Sequence, residues 1–371
     1  MPLPGGIPRT ILVAPDSFKG TLRADEVASA IGAGLQAGGL PVDLCPVADG
    51  GEGTLAALTP ALGAEPRIAR VHDPLGREIA ASFALIPAQA GPPGRAAVAG
   101  APRTAGAAAI VEAASASGLG LVAEDERDAV AATTAGSGEL VLAALAAGAH
   151  VVYVGVGGTA STDGGAGALG AIRAGGGLRG GRLVVLCDVR TPFEDAARVF
   201  AAQKGAGPAD VRRLTRRLHA LAGRLDRDPR GVPMSGAAGG LAGGLWAELG
   251  AELVPGASFV LDAVGFERRM RAARAVVAGE GRLDQQSLAG KAVSEVATRA
   301  RQAGVPCHAI VGRRELDAFG VRILDLQAVL EAGTPAQLER AGRQLAELLQ
   351  RDDRRQPFAA QRLGELRRIS V

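Results

Sequence analysis

Short runs of apolar residues recur along this chain, and each ends at a turn or loop rich in glycine or aspartate. Segments with helical spacing separate them, and the clearest runs are Thr10–Ala14, Val151–Gly155, Leu183–Cys187, Ala275–Ala278 and Cys307–Val311. Strands that alternate with helices in this way are typical of α/β proteins with largely parallel sheets. Since ligands of such sheets bind at the carboxyl ends of the strands, we expect the functional residues in the loops that follow these runs.

The composition limits the kinds of molecule that this protein is expected to bind. The 371 residues are 47% hydrophobic, which is enough for about two domains. The formal net charge is only +3 and the charged residues are interspersed, so neither nucleic acid nor a membrane is indicated. Aromatic residues make up 3%, which leaves little material for stacking on bases. A small-molecule substrate fits this composition best.

Cysteine usage and apolar patterning predict a cytoplasmic protein. Cys45, Cys187 and Cys307 are far apart and form no C-x-x-C motif, so neither a disulfide framework nor a zinc site is expected. The N-terminal residues do not have the pattern of a secretion signal. The most apolar region, Leu140 to Val156, is divided by Gly148 and indicates a helix, a turn and a strand rather than a membrane span.

Lysine is rare, and its positions suggest phosphate binding. Only three of the 41 basic residues are lysines, Lys19, Lys204 and Lys291, and each is adjacent to a glycine. A compact ammonium group suits a crowded phosphate better than a planar guanidinium does, and glycine lets the backbone approach a ligand closely. Chance survival of three lysines is the alternative that these residues alone leave open.

One glycine loop follows the run at Val151. Gly155 to Ala160 matches G-x-G-x-x-A, the dinucleotide-binding pattern, but the acidic residue expected about twenty positions later is missing. Ser161, Thr162 and Asp163 follow instead. Hydroxyls, a carboxylate and nearly bare backbone suit a phosphate with Mg²⁺. An NAD-dependent dehydrogenase and a merely tight connection remain as alternatives.

Two further loops combine glycine with carboxylates, Asp49–Thr54 and Gly279–Ser287. Three such loops indicate a site that binds a polyanion together with a metal ion. The residues before Lys291 do not form a Walker A motif, protein-kinase signatures are absent, and no nucleophile elbow is present. Asp188, at the end of a strand-like run, is a further candidate site acid.

Six motifs occur in an order that resembles a known family. They are Pro15–Lys19, Val47–Thr54, Gly155–Gly167, Gln203–Ala206, Gly236–Gly240 and Gly279–Asp284. Together, over nearly the whole chain, they resemble bacterial glycerate kinases of the type-two family. The resemblance implies ATP-dependent phosphorylation of D-glycerate, most simply at the 2-hydroxyl, with ATP and Mg²⁺ as cofactors. A glycerate 3-kinase and a non-catalytic or altered-specificity paralogue that binds a small hydroxy acid are the alternatives.

The resemblance also implies the architecture, which is α/β with two domains. Residues 1–70 and 270–371 would form a flavodoxin-like parallel-sheet domain, and residues 71–269 a second α/β domain inserted into it, with the site in the cleft between them. The oligomeric state is left open. Two departures from the family pattern concern the site, because Thr162 replaces the usual asparagine and the stretch after Asp188 is shorter.

These observations give one hypothesis for the site. The catalytic residues would be Asp188, Asp284 and Lys19. The substrate-binding residues would be Asp16, Ser17, Lys19, Gly281 and Arg282. The nucleotide would contact Gly157, Gly158, Thr159, Thr162, Lys204 and Lys291. The metal ligands would be Asp163 and Asp49.

Overall fold

The structure is a computed structural model that describes residues 10–88 and 107–368. Its β-strands, in chain order, are β1 Ile11–Pro15, β2 Val42–Leu44, β3 Glu65–His72, β4 Glu78–Ile86, β5 Ala108–Glu112, β6 Val151–Gly155, β7 Arg182–Cys187, β8 Glu252–Pro255, β9 Ala275–Gly279, β10 Arg282–Leu283, β11 Cys307–Val311, β12 Arg313–Arg314 and β13 Leu326–Glu331.

Its α-helices are α1 Ala24–Ala37, α2 Thr54–Leu62, α3 Ala114–Ser117, α4 Ala135–Ala146, α5 Ala166–Ala174, α6 Ala196–Phe200, α7 Pro208–Ala222, α8 Leu241–Leu249, α9 Gly256–Ala263, α10 Phe266–Ala272, α11 Ala292–Ala303, α12 Ala318–Ile323 and α13 Pro335–Arg368. Short 3₁₀ turns occur at Leu119–Leu121, Glu124–Glu126, Phe193–Asp195, Ala202–Lys204, Ala237–Gly240 and Gln285–Ala289. Within the described residues, no helix is long and apolar enough to cross a membrane.

The first sheet is built from both ends of the chain. Its five strands are all parallel and lie in the order β2, β1, β9, β11, β13. Numbered by their appearance in this sheet, the order is 2-1-3-4-5, which is that of flavodoxin-like sheets. The five runs predicted as strands correspond to β1, β6, β7, β9 and β11, each within one residue at either end. The predicted α/β class is therefore confirmed.

The second sheet is built from the middle of the chain. Its strands lie in the order β3 to β8. The first two contacts, β3 with β4 and β4 with β5, are antiparallel, and the remaining three are parallel. The predicted domain boundary at residue 70 falls inside β3, and that at 270 falls inside α10. The division into two domains therefore stays a prediction, whereas the two sheets are observed.

One hydrophobic core joins the two sheets. Leu12 of β1 and Leu186 of β7 belong to the same buried cluster, which α2, α9 and α11 complete. In this layer the ring centroids of Tyr153 and Phe259 are 4.9 Å apart. Alternate residues of β1 such as Val13 point to the opposite face, where α1 and α13 cover them. The central strands of the first sheet are buried on both faces. For this reason they appear in the sequence as continuous apolar runs rather than as alternating apolar and polar residues.

The three cysteines are free and buried. Burial raises the pKa of the Cys45 thiol to about 11 and those of Cys187 and Cys307 to about 12. Since the thiolate is the nucleophile, none of them is prepared for covalent catalysis.

Candidate active site

The candidate site lies where the carboxyl ends of strands from both sheets meet. Glycines allow this contact, because loop 49–53 of the first sheet lies directly on the loop that follows β6. A Cβ atom at Gly157 would lie 2.5 Å from the Cα atom of Gly51, and one at Gly256 would lie 2.5 Å from the carbonyl oxygen of Asp49. Only glycine at these positions lets the two backbones approach so closely. The strand order of the first sheet reverses between β1 and β9, which is where ligands bind in such sheets.

Lys19 and Asp49 form an ion pair beside this contact. Lys19 Nζ is 3.0 Å from Asp49 Oδ2, and Asp49 Oδ1 accepts a hydrogen bond from the Gly51 N–H at 3.1 Å. Burial of Asp49 opposes its ionisation, but the charge and hydrogen bond of Lys19 outweigh that cost and lower the pKa of Asp49. The same pairing raises the pKa of Lys19. Asp49 is therefore a carboxylate and Lys19 an ammonium at neutral pH.

Asp16 lies next to this pair at the end of β1. Its N–H donates to the carbonyl of Gly279 at 2.8 Å, and its carboxyl accepts from the Ser17 N–H at 2.6 Å. Burial, followed by the negative charge of Asp49, raises the pKa of Asp16 to about 8. The Ser17 hydroxyl is buried and has no hydrogen-bond partner in the described part of the chain. Both groups are thus available to a ligand.

Asp188 approaches the same place from the second sheet. It follows β7, and its Oδ2 accepts a hydrogen bond from the Ala257 N–H at 2.8 Å. Burial, with a contribution from Asp49, raises its pKa to about 8. A Cβ atom at Gly290, which follows the turn Gln285–Ala289, would lie 3.9 Å from the carbonyl oxygen of Asp188.

Glu280 and Lys291 complete the acidic side of the cleft. Lys291 Nζ lies 3.9 Å from Glu280 Oε2. Burial raises the pKa of Glu280 to about 7, although the hydroxyl of Ser287 and the charge of Lys291 act in the opposite direction. Several carboxyl groups in a confined space therefore share two ammonium groups, Lys19 and Lys291.

The loop after β6 is organised around Asp163. This residue is 1% exposed, and its carboxylate accepts four hydrogen bonds at 2.8 to 3.0 Å, from the N–H and hydroxyl of Thr134 and from the N–H groups of Gly165 and Gly167. Asp163 was predicted as a metal ligand. In the structure its oxygen atoms hold the loop to the start of α4.

Lys204 lies under the same loop. It is 3% exposed, its Nζ donates to the carbonyl of Ser161, and it lies 3.4 Å from Thr159 Oγ1. Burial lowers its pKa to about 8. Among the described residues no carboxylate lies within ion-pair distance of it, and the hydroxyls of Ser161 and Thr162 are buried without hydrogen-bond partners. The charge of Asp163 acts on Lys204 from beyond ion-pair distance and partly offsets the effect of burial on its pKa.

Comparisons with known proteins show the family of this chain. The sequence profile of the glycerate kinase family matches residues 11–176 and 173–356. The chain belongs to the glycerate kinase family. The predicted resemblance is thus confirmed.

Individual relatives in this family cover most of the chain. It is 37% identical to the glycerate 2-kinase of Escherichia coli strain K12 over 361 residues, which cover 87% of this chain and 90% of that protein. It is 34% identical to a glycerate kinase of Halalkalibacterium halodurans over 387 residues, covering 91% and 97%. A crystal structure from Salmonella typhimurium LT2, of a protein provisionally named glycerate kinase 2, matches with a TM-score of 0.72 at 31% identity, covering 94% of this chain and all of that one.

The other predicted site residues of this family member lie at the edges of the cleft. Gly157 and Gly158 are in the loop that follows β6, which contacts loop 49–53 at Gly51. Gly281 packs on Phe18, where a Cβ atom would lie 3.2 Å from its Cα atom. Arg282 is largely exposed, 3.9 Å from Glu315. Asp284 caps the turn Gln285–Ala289 by accepting from the Gln286 N–H at 2.8 Å.

A fixed metal centre is not present in the described residues, since no group of three or more metal-ligating side chains comes together there. Mg²⁺ in phosphoryl-transfer enzymes is usually bound by one or two carboxylates together with substrate phosphates. Asp49 fits that requirement, because it is ionised and lies among the cleft carboxylates.

Two residues in the surroundings of the site were missed in the sequence. Thr134 holds Asp163, and Glu112, at the end of β5, accepts a hydrogen bond from the Leu55 N–H at the start of α2. Glu112 follows a short apolar run, as Asp16 and Asp188 do. That pattern could have identified it.

Proposed function

We propose that this protein is a glycerate 2-kinase that transfers the γ-phosphoryl group of ATP to the 2-hydroxyl of D-glycerate. The proposal rests mainly on the cleft, in which Lys19, Asp49, Glu280 and Lys291 from one sheet meet Asp188 from the other. Ammonium groups there can bind two anionic substrates, and a carboxyl with a raised pKa can take part in proton transfer.

Asp188 is the proposed general base. Its pKa of about 8 is close to neutral, where a base combines adequate strength with a sufficient ionised fraction. Its carboxylate accepts the hydroxyl proton while the hydroxyl oxygen forms a bond to the γ-phosphorus. The bond between that phosphorus and the bridging oxygen breaks, and ADP leaves. Asp284 is the weaker candidate, because its carboxylate caps a turn.

The substrate carboxylate would bind at the loop after β1. Lys19 supplies the charge, and the Ser17 hydroxyl, which is buried without a partner in the described chain, supplies a donor. Asp16, Gly281 and Arg282 border this position. The compact ammonium of Lys19 can stay paired with Asp49 while it faces a carboxylate.

The ATP phosphates would bind between the loop after β6 and Lys291. Lys204 and Lys291 provide positive charge, the glycines 157 and 158 provide backbone N–H groups, and Thr159 and Thr162 provide hydroxyls. The buried ammonium of Lys204 supports this assignment, since no carboxylate of the described chain forms a direct ion pair with it and a bound phosphate would offset the cost of its burial.

Asp49 is the proposed ligand of Mg²⁺, which, when bound, neutralises charge on the transferred phosphoryl group. We assign Asp163 to positioning the loop instead of binding metal, because its oxygens already accept four hydrogen bonds from the chain. The remaining elements of the proposal are a cytoplasmic location, a small-molecule substrate and the two-domain arrangement.

A coupled ADP-release assay with Mg-ATP and D-glycerate, followed by phosphorus NMR of the product, tests the proposal. Turnover with phosphate on the 2-hydroxyl is the expected result. Phosphate on the 3-hydroxyl would make the protein a glycerate 3-kinase. Absence of turnover in folded protein that still binds D-glycerate in calorimetry would reject the enzyme in favour of a non-catalytic paralogue.

A further inference from the structure

Helix α2 begins directly after the loop that carries Asp49, yet its own residues do not cap it. The residue before the helix is Gly53, which has no side chain and a φ of 96°. The hydroxyl of Thr54 is buried and has no hydrogen-bond partner in the described part of the chain. The first N–H groups of a helix need acceptors. The Thr54 N–H donates to the Gly51 carbonyl of the preceding loop at 3.3 Å, whereas the Leu55 N–H takes its acceptor from another part of the chain.

The acceptor is Glu112 of the second sheet. It is 8% exposed, and its Oε1 lies 2.5 Å from the Leu55 nitrogen. Burial raises the pKa of Glu112 to about 7, an effect that the N–H groups of Leu55 and Gly53 oppose. A carboxylate at a helix N-terminus also interacts favourably with the helix dipole.

The position of Glu112 links this cap to the site. Glu112 pairs in register with Gly155 of β6, and a Cβ atom at Gly155 would lie 2.9 Å from the carbonyl oxygen of Gly50. Loop 49–53 is therefore held at its beginning by the bond from the Gly51 N–H to Asp49 and at its end by Glu112. Asp49 begins this loop and is paired with Lys19.

We propose that Glu112 is a positioning residue that caps α2 from the opposite sheet and thereby fixes the loop that presents Asp49 to the metal and to Lys19. This inference rests on the proposed function for the role of Asp49. The fixing of the loop itself does not depend on it.

Hydrogen exchange of the ligand-free protein tests the first part. Glu112→Ala should accelerate amide exchange in residues 49–55 about tenfold, which corresponds to the loss of one helix cap. Glu112→Gln keeps an acceptor oxygen and should exchange within about threefold of the wild type. Glu139→Ala is the matched control, because Glu139 also accepts from a backbone N–H, that of His72 at 2.8 Å, but lies outside the cleft.

Calorimetric titration with Mg-ATP tests the second part. Glu112→Ala should weaken Mg-ATP binding about 10- to 100-fold, as expected for a residue that orients a metal ligand, whereas Glu112→Gln and Glu139→Ala should stay near the wild-type affinity. Unchanged exchange in residues 49–55 would overturn the proposal, and so would faster exchange with unchanged Mg-ATP affinity. If the wild type binds no Mg-ATP, the proposed function fails by that result alone, and the exchange experiment still decides whether Glu112 fixes the loop.

Discussion

The loop after β6 and the acidic side of the cleft contain the same type of residue in opposite surroundings. Asp163 accepts four hydrogen bonds and its carboxylate is fully engaged by the chain. Asp188 accepts from the N–H groups of Ala257 and Gly256 and lies near another acid, Asp49, which contributes to its raised pKa. A buried carboxylate whose oxygens accept hydrogen bonds from the chain stabilises the fold. A carboxylate near other negative charges is stable in its ionised form only when a ligand supplies positive charge, and otherwise it binds a proton.

The largest expected effect concerns Asp188. Asp188→Asn should lower kcat roughly 10²- to 10⁴-fold, because the amide cannot accept the hydroxyl proton. The coupled ADP-release assay measures this, and circular dichroism should show an unchanged fold. Turnover close to that of the wild type would exclude Asp188 as the base.

The next effect concerns the other region. Asp163→Ala should lower the free energy of unfolding by roughly 3–5 kcal/mol, because four buried donors lose a charged acceptor at once. Urea denaturation at neutral pH measures it, with Asp188→Asn as the control that should not be destabilised. A loss below about 1 kcal/mol would remove the contrast between the two regions.

Stability should also depend on pH through the cleft. The pKa values of Asp16 and Asp188, about 8, and of Glu280, about 7, lie above those of the unfolded chain, so the folded state binds more protons between roughly pH 4 and 8. Stability therefore falls as pH rises through this window. We expect the Tm of ligand-free protein to drop on the order of 3 °C between about pH 5.5 and 8, for a loss of about 2 kcal/mol.

Asp188→Asn should flatten this pH dependence, because the amide removes one of the three groups. Measuring Tm across the same pH series for the wild type and the variant tests this expectation. An identical slope in the variant would mean that Asp188 does not carry the proton.

The smallest effect concerns the cation that balances the acids. Lys19→Arg preserves charge, but a guanidinium can bind both oxygens of Asp49 and compete with the metal, so kcat/KM should fall about tenfold. Steady-state kinetics at several Mg²⁺ concentrations measures the change, and added Mg²⁺ should recover part of it. If the kinetics of the variant equal those of the wild type, only the charge at residue 19 matters, and not the shape of its side chain.

The sequence was sufficient to predict the central parallel strands, because each of them is buried on both faces and forms an unbroken apolar run. It did not indicate β3, since that edge strand is mostly exposed and carries charged residues such as Arg67 and Arg70. Motif order identified the family and the loops of the site.

The orientation of individual side chains was beyond the sequence. Asp163 stands among glycines just as Asp49 does, and only the contact with Thr134, from a different part of the chain, distinguishes a loop anchor from a ligand. The position of Glu112 after an apolar run could have identified it as a candidate, but its role as a cap could not be predicted, because it depends on a helix that begins more than fifty residues earlier.

The contact between Gly51 and Gly157 has an evolutionary consequence. A side chain at Gly157 would collide with the backbone of Gly51, and one at Gly51 would come within 3.2 Å of the Cα atom of Gly157. Neither collision is relieved by changing the other residue, since both are already the smallest amino acid. A substitution at one of these glycines therefore cannot be compensated by a substitution at the other. We expect both residues to remain glycine while the surrounding sequence changes.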